Sequence, residues 1–294
     1  MPFILPALLS FQGSAHLFGV GSFSYLMFIT DENDYTQQQF DEIYPKVKET
    51  VTAGITPEDR KCTIILGGQP GAGKSSFYQS RDDLIDYAAI NGDEYRRFHP
   101  EIKSILYSDP EHYAERTQKF SNQMVETLIS DLSDYGYNLI IEGTLRNPQV
   151  PIRTCEELKA KGYSAELVVV ACNAELAWKS ILARAEVQKE HGQIPRLVPI
   201  DIYNNTVHQI PASLNIIEKT QCFDRITVQT RDMAILFSSD RNESFSASTV
   251  LRNELNLPEW DRHFKEYEKD FLQRKIEILS DRVRNMDRDD YDER

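Results

Sequence analysis

The chain has 294 residues, of which 40% are hydrophobic and 27% are charged, values that are ordinary for a soluble globular protein. This length allows one large α/β domain with a proper core, or two small domains. The formal net charge of -13 argues against a nucleic-acid-binding protein, because neutralising nucleic-acid phosphates requires a basic face.

The four cysteines are widely separated and none forms a CxxC pair: Cys62, Cys155, Cys172 and Cys222. This spacing argues against a secreted disulfide framework and against a zinc site. It predicts buried thiols in a reducing compartment, which places the protein in the cytoplasm.

Residues 1–29 are rich in apolar side chains but contain no Lys or Arg. A signal peptide needs a positively charged start, and the polar residues and glycines in this segment argue against a membrane span. We expect a non-functional extension, translated from upstream of a true start at Met27. The alternative is a segment that associates with a membrane.

The first half of the remaining chain alternates between helix and strand patterns. A helix is predicted at 40–51, followed by a short apolar run at Cys62–Leu66 that is typical of a buried parallel strand. This run leads directly into a glycine-rich loop, with a helix starting at about Gly73. A short strand is predicted at 88–90, and apolar side chains recurring every three to four residues predict a helix at 120–135.

The second half continues the alternation. Strands are predicted at 138–141, 167–171 and 226–228, and helices at 152–161, 176–189 and 200–217. Residues 191–199 are rich in Gly and Pro and are predicted to form a loop. From Pro258 onward the composition shifts to charged residues with aromatic side chains at helical spacing. This pattern predicts a C-terminal helix that packs on the domain, followed by a solvated tail at 287–294.

The segment Gly68-Gln69-Pro70-Gly71-Ala72-Gly73-Lys74-Ser75 matches the phosphate-loop pattern G-x-x-x-x-G-K-[ST]. A random chain of this length would match about one time in a hundred, and here a predicted strand precedes the loop and a predicted helix follows it. The glycines allow backbone N–H groups to face nucleotide phosphates. Lys74 would reach the β- and γ-phosphates, and the Ser75 hydroxyl would ligate Mg²⁺. The pattern predicts a nucleotide-dependent phosphotransferase but does not identify the acceptor.

Together these elements predict an α/β protein with the three-layer fold of P-loop kinases: a mostly parallel central sheet flanked by helices, plus the C-terminal helix. The predicted organisation is an extension at 1–29, a kinase domain at 30–257 and a charged helical tail at 258–294.

Two acidic residues lie at the predicted carboxyl ends of strands, where ligands bind in open α/β sheets. Asp93 is either an ordinary helix N-cap or the base that accepts a proton from an acceptor hydroxyl during phosphoryl transfer. Glu142 is either an acid that holds Mg²⁺ through water or a ligand of a substrate hydroxyl.

The cationic candidates are Arg146, Arg184 and Arg196. Arg184 lies at the edge of the apolar stripe of its helix, where it either leans into a cleft or extends along the surface. Arg196 lies in the loop bounded by Pro and Gly, which suits a lid that closes on phosphates. Glu126 is placed opposite the apolar face of its helix, a position that favours solvent over a substrate cleft.

Three blocks of sequence resemble the zeta toxin family, the kinase halves of bacterial toxin–antitoxin pairs. They are LGGQPGAGKSS at Leu66–Ser76, NGDEYRRFHP at Asn91–Pro100 and YNLIIEGTLRNPQVP at Tyr137–Pro151. A weaker fourth likeness is Arg184 with Arg196 and Pro199 downstream. The resemblance covers roughly residues 35–255, and the second and third blocks are far more specific than the phosphate loop.

This resemblance implies a kinase that uses ATP and Mg²⁺ to phosphorylate a sugar hydroxyl of UDP-N-acetylglucosamine or a related UDP-amino sugar. The product cannot be used in peptidoglycan synthesis, and a small antitoxin that blocks the nucleotide site is the implied partner. Asp93 would be the general base, with Arg184 and Arg196 stabilising charge on the transferring phosphoryl group. The implied ATP-binding residues are Gly68, Gln69, Pro70, Gly71, Ala72, Gly73, Lys74, Ser75 and Ser76. The implied substrate-binding residues are Asp93, Glu126, Glu142, Thr144, Arg146 and Thr154.

The sequence departs from the family pattern in one block. Asn147 and Pro148 follow Arg146 where members often have Thr after this arginine, which bears on the sugar and on the hydroxyl that is phosphorylated. Two other functions stay open on the sequence alone. One is a P-loop kinase for another small molecule, such as an antibiotic-modifying phosphotransferase. The other is a nucleotide-gated interaction protein, which would need no acceptor base.

Overall fold

A computed structural model describes residues 35–109, 112–191, 197–241 and 243–292. The extension predicted at 1–29 lies outside these residues, as does Arg196. Among the helices that are described, none is both long and apolar enough to cross a membrane.

A six-stranded sheet forms the centre of the fold, in the order β2-β3-β1-β4-β5-β6. Its strands are β1 Cys62–Gly67, β2 Tyr87–Asn91, β3 Asn138–Glu142, β4 Ser164–Val170, β5 Arg225–Gln229 and β6 Ile235–Ser238. The first five strands pair in parallel and β6 is antiparallel to β5. The carboxyl ends of β1, β2 and β3 therefore meet at one edge of the sheet.

Eleven α-helices occur in the described part of the chain. They are α1 Gln37–Val51, α2 Lys74–Gln79, α3 Gly92–Tyr95, α4 Ile102–Ser108, α5 Tyr113–Arg116, α6 Gln118–Asp134, α7 Gln149–Ala160, α8 Ala174–Glu190, α9 Ile200–Thr220, α10 Ala247–Leu255 and α11 Leu257–Asp292. Short 3-10 turns lie at Asp82–Leu84 and Arg96–Phe98.

Helices cover both faces of the sheet because alternate strand residues point to opposite sides. In β1, Ile64 and Leu66 pack with Trp178 of α8, whereas Ile65 packs in a second cluster with Leu214 of α9. Burying a side chain of this size stabilises the fold by about 1.5–3 kcal/mol. The predicted three-layer architecture with a mostly parallel sheet is confirmed.

An aromatic cluster fixes α11 to the domain. The Trp260 ring is fully buried, and its centroid lies 5.1 Å from that of Tyr203 and 6.2 Å from that of Trp178. Phe271, three turns further along the helix, packs with its ring centroid 5.7 Å from that of Trp178. The predicted packing of the C-terminal helix is confirmed, but the helix continues through Asp292 where a solvated tail was expected from residue 287. Its many Glu, Lys and Arg residues are strong helix formers.

Two elements at the end of the domain were missed by the sequence patterns. Residues 226–228 were expected to form the last strand, but a reversal after Gln229 adds the four-residue β6. α10 follows, and Ser246 caps it by accepting a hydrogen bond from the Thr249 N–H at 3.2 Å. Both elements are shorter than the windows in which hydrophobic periodicity is recognisable.

All four cysteines are free thiols. Cys155 and Cys172 are buried as predicted, whereas Cys62 and Cys222 are partly exposed. Burial raises the pKa of Cys155 to about 12, so its thiol is protonated at neutral pH.

Candidate nucleotide and acceptor site

The phosphate loop connects β1 to α2 at the centre of the sheet. All three of its glycines, Gly68, Gly71 and Gly73, have a positive φ. Gly71 has a φ of 76°, and a Cβ there would overlap the carbonyl oxygen of Ala177 on α8. Gly73 has a φ of 93° and lies in the left-handed region at the start of α2. The loop is therefore pressed against α8 and has a backbone shape that side chains would not allow.

Lys74 is only 8% exposed, and its ammonium group is held inside the loop. Its Nζ donates to the carbonyl oxygens of Gly68 at 3.0 Å and Gln69 at 3.3 Å, and it lies 3.9 Å from Glu142 Oε1. Burial lowers the pKa of Lys74, while the charges of Glu142 and Asp93 oppose this shift. The lysine is thus positioned where a phosphate oxygen could replace the loop carbonyls.

Glu142 ends β3 beside the loop and is half-buried. Its Oε2 accepts hydrogen bonds from Ser75 Oγ at 3.3 Å and from Asn91 Nδ2 at 3.1 Å. Burial raises the pKa of Glu142, and the positive charge of Lys74 counteracts the rise. The phenol of Tyr78 also contacts the side chains of Ser75 and Asn91, a contact that the sequence patterns did not indicate.

Ser75 and Glu142 provide oxygen ligands of the kind that Mg²⁺ prefers. Within the described residues, no group of three His, Cys, Asp or Glu side chains could hold a metal by itself. The two oxygens therefore fit a Mg²⁺ ion that also takes oxygens from a phosphate ligand and water.

Asp93 follows β2 and lies in the first turn of α3. The alternative in which Asp93 is the N-cap is wrong: Asn91 is the cap, and its side chain accepts from the Asp93 N–H at 3.0 Å. The Asp93 side chain is 69% exposed, and its Oδ1 accepts from Arg96 Nε at 3.0 Å. Burial is the main cause of the pKa shifts of Lys74 and Glu142; the negative charge of Asp93 opposes the lowering at Lys74 and adds to the rise at Glu142.

Arg96, which contacts Asp93, is itself fixed by three other hydrogen bonds. Its guanidinium donates to the Ala114 carbonyl, to Thr117 Oγ1 at 3.0 Å and to Gln118 Oε1 at 2.7 Å. These bonds connect α3 to the start of α6. The carboxylate is therefore exposed to solvent but restrained in position.

The loop after β3 exposes Thr144 and Arg146 on either side of a buried residue. Leu145 has a φ of 57° and is 5% exposed, and its side chain occupies the space that a Cβ on Gly67 would need. Ser213 Oγ donates to the Arg146 carbonyl at 2.8 Å. A left-handed leucine was not predictable, because this conformation favours glycine and asparagine.

The remaining predicted acceptor residues lie on α6 and α7. Glu126 is 71% exposed and its Oε1 lies 3.7 Å from Arg153 Nη2. Thr154 is buried, and its hydroxyl donates to the Val150 carbonyl of its own helix at 2.9 Å. Glu126 also lines an open depression along α5 and α6.

Of the two arginines predicted to stabilise the transferring phosphoryl group, the structure describes Arg184 and not Arg196. Arg184 is exposed on α8, and its charge lowers the pKa of Lys74, which places it within electrostatic range of the loop. Arg196 and most of the predicted lid fall in residues 192–196, outside the described part. Arg231, which was not predicted, contacts the loop from the turn after β5. The strand-end rule that selected Asp93 and Glu142 could have indicated it.

Known proteins resemble this chain in sequence. The family profile described as Zeta toxin matches residues 46–242. Toxin PezT of Streptococcus pneumoniae serotype 4 is 32% identical over 236 residues, covering 79% of this chain and 92% of the relative. Toxin zeta of Streptococcus agalactiae is 30% identical over 226 residues, covering 76% of this chain and 79% of the relative.

A solved structure from the PezAT chromosomal toxin–antitoxin system of Streptococcus pneumoniae has a similar fold. It superimposes with a TM-score of 0.67 at 28% identity and covers 86% of this chain and 99% of that chain.

Proposed function

The chain belongs to the zeta toxin family, and on this premise we propose that it is an ATP-dependent kinase acting on a UDP-amino sugar. The proposed acceptor is a sugar hydroxyl of UDP-N-acetylglucosamine or a close relative. Phosphorylation would remove this precursor from peptidoglycan synthesis, and the enzyme would thereby act as a toxin in the cytoplasm, where ATP and UDP-sugars are present.

The main support for this proposal is the position of three kinds of groups. The groups proposed to bind the phosphoryl donor, the metal and the acceptor lie at the carboxyl ends of three adjacent strands. Leu66 of β1 pairs with Glu142 of β3, and Glu142 pairs with Asn91 of β2. The phosphate loop begins two residues after Leu66, and Asp93 lies two residues after Asn91. A triphosphate on the loop and a hydroxyl beside Asp93 would thus approach each other across Glu142.

On the donor side, the loop N–H groups and Lys74 would bind the phosphates of ATP. Ser75 and Glu142 would hold Mg²⁺, which when bound neutralises charge on the β- and γ-phosphate oxygens. The positive end of Lys74 would move from the loop carbonyls to a phosphate oxygen. Arg184, and Arg196 from the loop outside the described residues, would stabilise charge on the transferring group.

On the acceptor side, Asp93 would accept the proton of the sugar hydroxyl as its oxygen attacks the γ-phosphorus. The bond from the γ-phosphorus to the bridging oxygen breaks, and ADP leaves. Arg96 contacts Oδ1 of Asp93, which leaves Oδ2 to take the proton. Exposure suits this role, because the acceptor must reach the carboxylate from solvent.

The UDP-sugar itself would be bound by Glu126, Thr144, Arg146 and Thr154 together with Glu142. The Thr154 hydroxyl donates to Val150 and can still accept a hydrogen bond from the ligand. Arg146 presents a planar guanidinium that suits bidentate contact with a diphosphate.

A small antitoxin is the proposed protein partner. The structural relative comes from a toxin–antitoxin system, and this chain aligns with nearly all of it. The open acceptor side and the phosphate loop would be the surfaces that such a partner must obstruct. Co-expression of the adjacent reading frame should relieve growth arrest caused by this chain.

The test is incubation of the purified chain with ATP, MgCl₂ and UDP-N-acetylglucosamine, followed by mass spectrometry of the nucleotides. We expect ADP and a UDP-sugar heavier by one phosphoryl group, and neither product from the Asp93→Asn variant. Turnover on a non-UDP acceptor, with no product from a panel of UDP-sugars, would contradict the proposed substrate.

A further inference from the structure

Arg231 lies in the tight turn between β5 and β6, far from the phosphate loop in sequence. The turn is closed by the Thr230 N–H, which donates to the Ala234 carbonyl at 2.9 Å, and by the Met233 N–H, which donates to the Thr230 carbonyl at 3.0 Å. Ala171, just after β4, donates to the Gln229 carbonyl at 2.7 Å. The backbone that carries Arg231 is therefore fixed beside the loop.

The guanidinium of Arg231 contacts the outer side of the loop. Its Nη2 donates to the Gly71 carbonyl at 2.7 Å, and its Nε donates to the Ala72 carbonyl at 3.4 Å. Nη2 also lies 3.2 Å from Ser180 Oγ and 3.3 Å from Cys172 Sγ. One half-buried cation thus joins the loop, α8 and the end of β4.

The stem of Arg231 covers the next residue of the loop. A Cβ on Gly73 would lie 3.0 Å from the Cγ of Arg231 and 3.3 Å from its Nε. The side chain therefore follows the loop over three successive residues, Gly71 to Gly73.

These contacts constrain the direction of the loop's peptide groups. The C=O and N–H of a trans peptide point in opposite directions, so a carbonyl held outward turns its N–H inward. The carbonyl of Ala72 shares a peptide group with the N–H of Gly73. The carbonyl of Gly71 shares one with the N–H of Ala72, which donates to the Gln69 carbonyl at 3.1 Å inside the loop. The Ala72 N–H thus closes the turn of the loop, and the Gly73 N–H is directed away from Arg231, as anion binding by a backbone amide requires.

We propose that Arg231 is a positioning residue that holds the phosphate loop in its anion-binding shape before a nucleotide arrives. The inference rests on the proposed function only in requiring that the loop bind a triphosphate, and it is independent of the acceptor. Arg231 acts on the phosphates through the loop backbone. Its removal therefore weakens every triphosphate ligand, with or without a nucleoside.

The experiment measures binding of ATP and of inorganic tripolyphosphate, each with MgCl₂, by calorimetry of the full chain. Arg231→Met keeps an unbranched apolar stem and removes the guanidinium, and Arg231→Lys keeps the charge without the fork. We expect the Kd of both ligands to rise together by about tenfold in Arg231→Met, as for a lost charge-assisted hydrogen bond. Arg231→Lys should lie between this variant and the wild type.

Arg225→Met is the matched control. Arg225 lies at the opposite end of β5, where its Nη2 pairs with Glu166 at 2.6 Å, away from the loop. This control should bind both ligands as the wild type does. The KM for the acceptor should be unchanged in the Arg231 variants, which separates loop positioning from general damage to the fold.

Hydrogen exchange of the loop amides without nucleotide provides a second readout. The amides of residues 68–74 should exchange faster in Arg231→Met and Arg231→Lys than in the wild type. In the control Arg225→Met they should exchange at the wild-type rate. A loss of affinity for ATP with unchanged tripolyphosphate binding would overturn the proposal, since it would place Arg231 on the nucleoside. Unchanged binding of both ligands, or unchanged exchange in the loop, would also overturn it.

Failure of the proposed function gives a different result. A wild-type chain that binds neither ATP nor tripolyphosphate contradicts kinase activity. The exchange rates of residues 68–74 would then still decide whether Arg231 holds the loop.

Discussion

The donor half of the site, formed by the phosphate loop, is more buried than the acceptor half around Asp93 and Glu126. On the donor half, Gln69 and Ala72 are fully buried, Lys74 is 8% exposed, and the loop carbonyls are paired with Lys74 and Arg231. On the acceptor half, the side chains of Asp93 and Glu126 are 69% and 71% exposed. A loop of backbone groups must be organised before its ligand binds, whereas acceptor side chains can stay solvated until the substrate arrives.

The largest expected effect comes from removing the buried cation of the donor half. Lys74→Met should lower ATP turnover by at least about 10²-fold, because it deletes a preorganised charge aimed at the transferring phosphoryl group. Lys46→Met on the exposed face of α1 is the control. The rate of ADP release at steady state measures the turnover of both variants. Near-normal turnover in Lys74→Met would contradict the claim that the donor half depends on this buried cation.

The next effect separates chemistry from donor binding. Asp93→Asn should lower kcat by about 10²–10⁴-fold, as expected for loss of a general base, and leave the Kd of ATP unchanged. Asp86→Asn is the matched control, because Asp86 precedes β2 whereas Asp93 follows the opposite end of that strand. A parallel loss of ATP affinity in Asp93→Asn would show that this carboxylate belongs to the donor half.

A smaller effect is expected for the acceptor arginine. Arg146→Met should raise the KM for the UDP-sugar by about tenfold and leave the KM for ATP unchanged, because its exposed guanidinium would contact only the acceptor. Initial-rate kinetics with each substrate varied in turn gives both constants. Equal shifts in the two constants would mean that the halves are not independent.

The smallest expected effect is a change in thermal stability through α8, the helix that packs against the phosphate loop. Hydrogen bonds from Lys179 and then Tyr267 and His263 lower the pKa of Glu175 to about 2. A lowered pKa contributes stability that is present above the unfolded value and is lost as pH falls toward the folded value. Glu175→Gln should therefore lower Tm by about 2–4 °C at neutral pH, with unchanged KM values.

The difference in Tm between this variant and the wild type should shrink as pH falls from about 4.5 toward 2, which thermal melts at a series of pH values can measure. Glu156→Gln on the exposed face of α7 is the control. A difference that does not change with pH would mean that the charge of Glu175 is not what stabilises α8.

The sequence predicted best what depends on local order along the chain. The phosphate loop needs only eight consecutive residues, and Glu142 and Asp93 followed from the rule that ligands meet the carboxyl ends of strands. The fold class followed from alternating strand and helix patterns.

What the sequence did not predict depends on long-range pairing. Arg231 follows the carboxyl end of a predicted strand, but its contact with the loop depends on the pairing of β5 with β4 and on the reversal of the chain into β6. Asn91, and not Asp93, caps the helix because backbone geometry selects the cap, and two capping residues only two positions apart do not reveal that geometry. The left-handed Leu145 is likewise set by packing against Gly67 rather than by local preference.

Phosphorus NMR of a reaction containing the wild-type chain, ATP, MgCl₂ and UDP-N-acetylglucosamine follows the phosphoryl donor and the acceptor in one sample. We expect the γ-phosphate resonance of ATP to be replaced by one phosphomonoester resonance on the sugar nucleotide for each ADP formed. Formation of ADP with inorganic phosphate alone, or with no change in the UDP-sugar, would contradict a kinase in which the loop and Asp93 act on one transferred group.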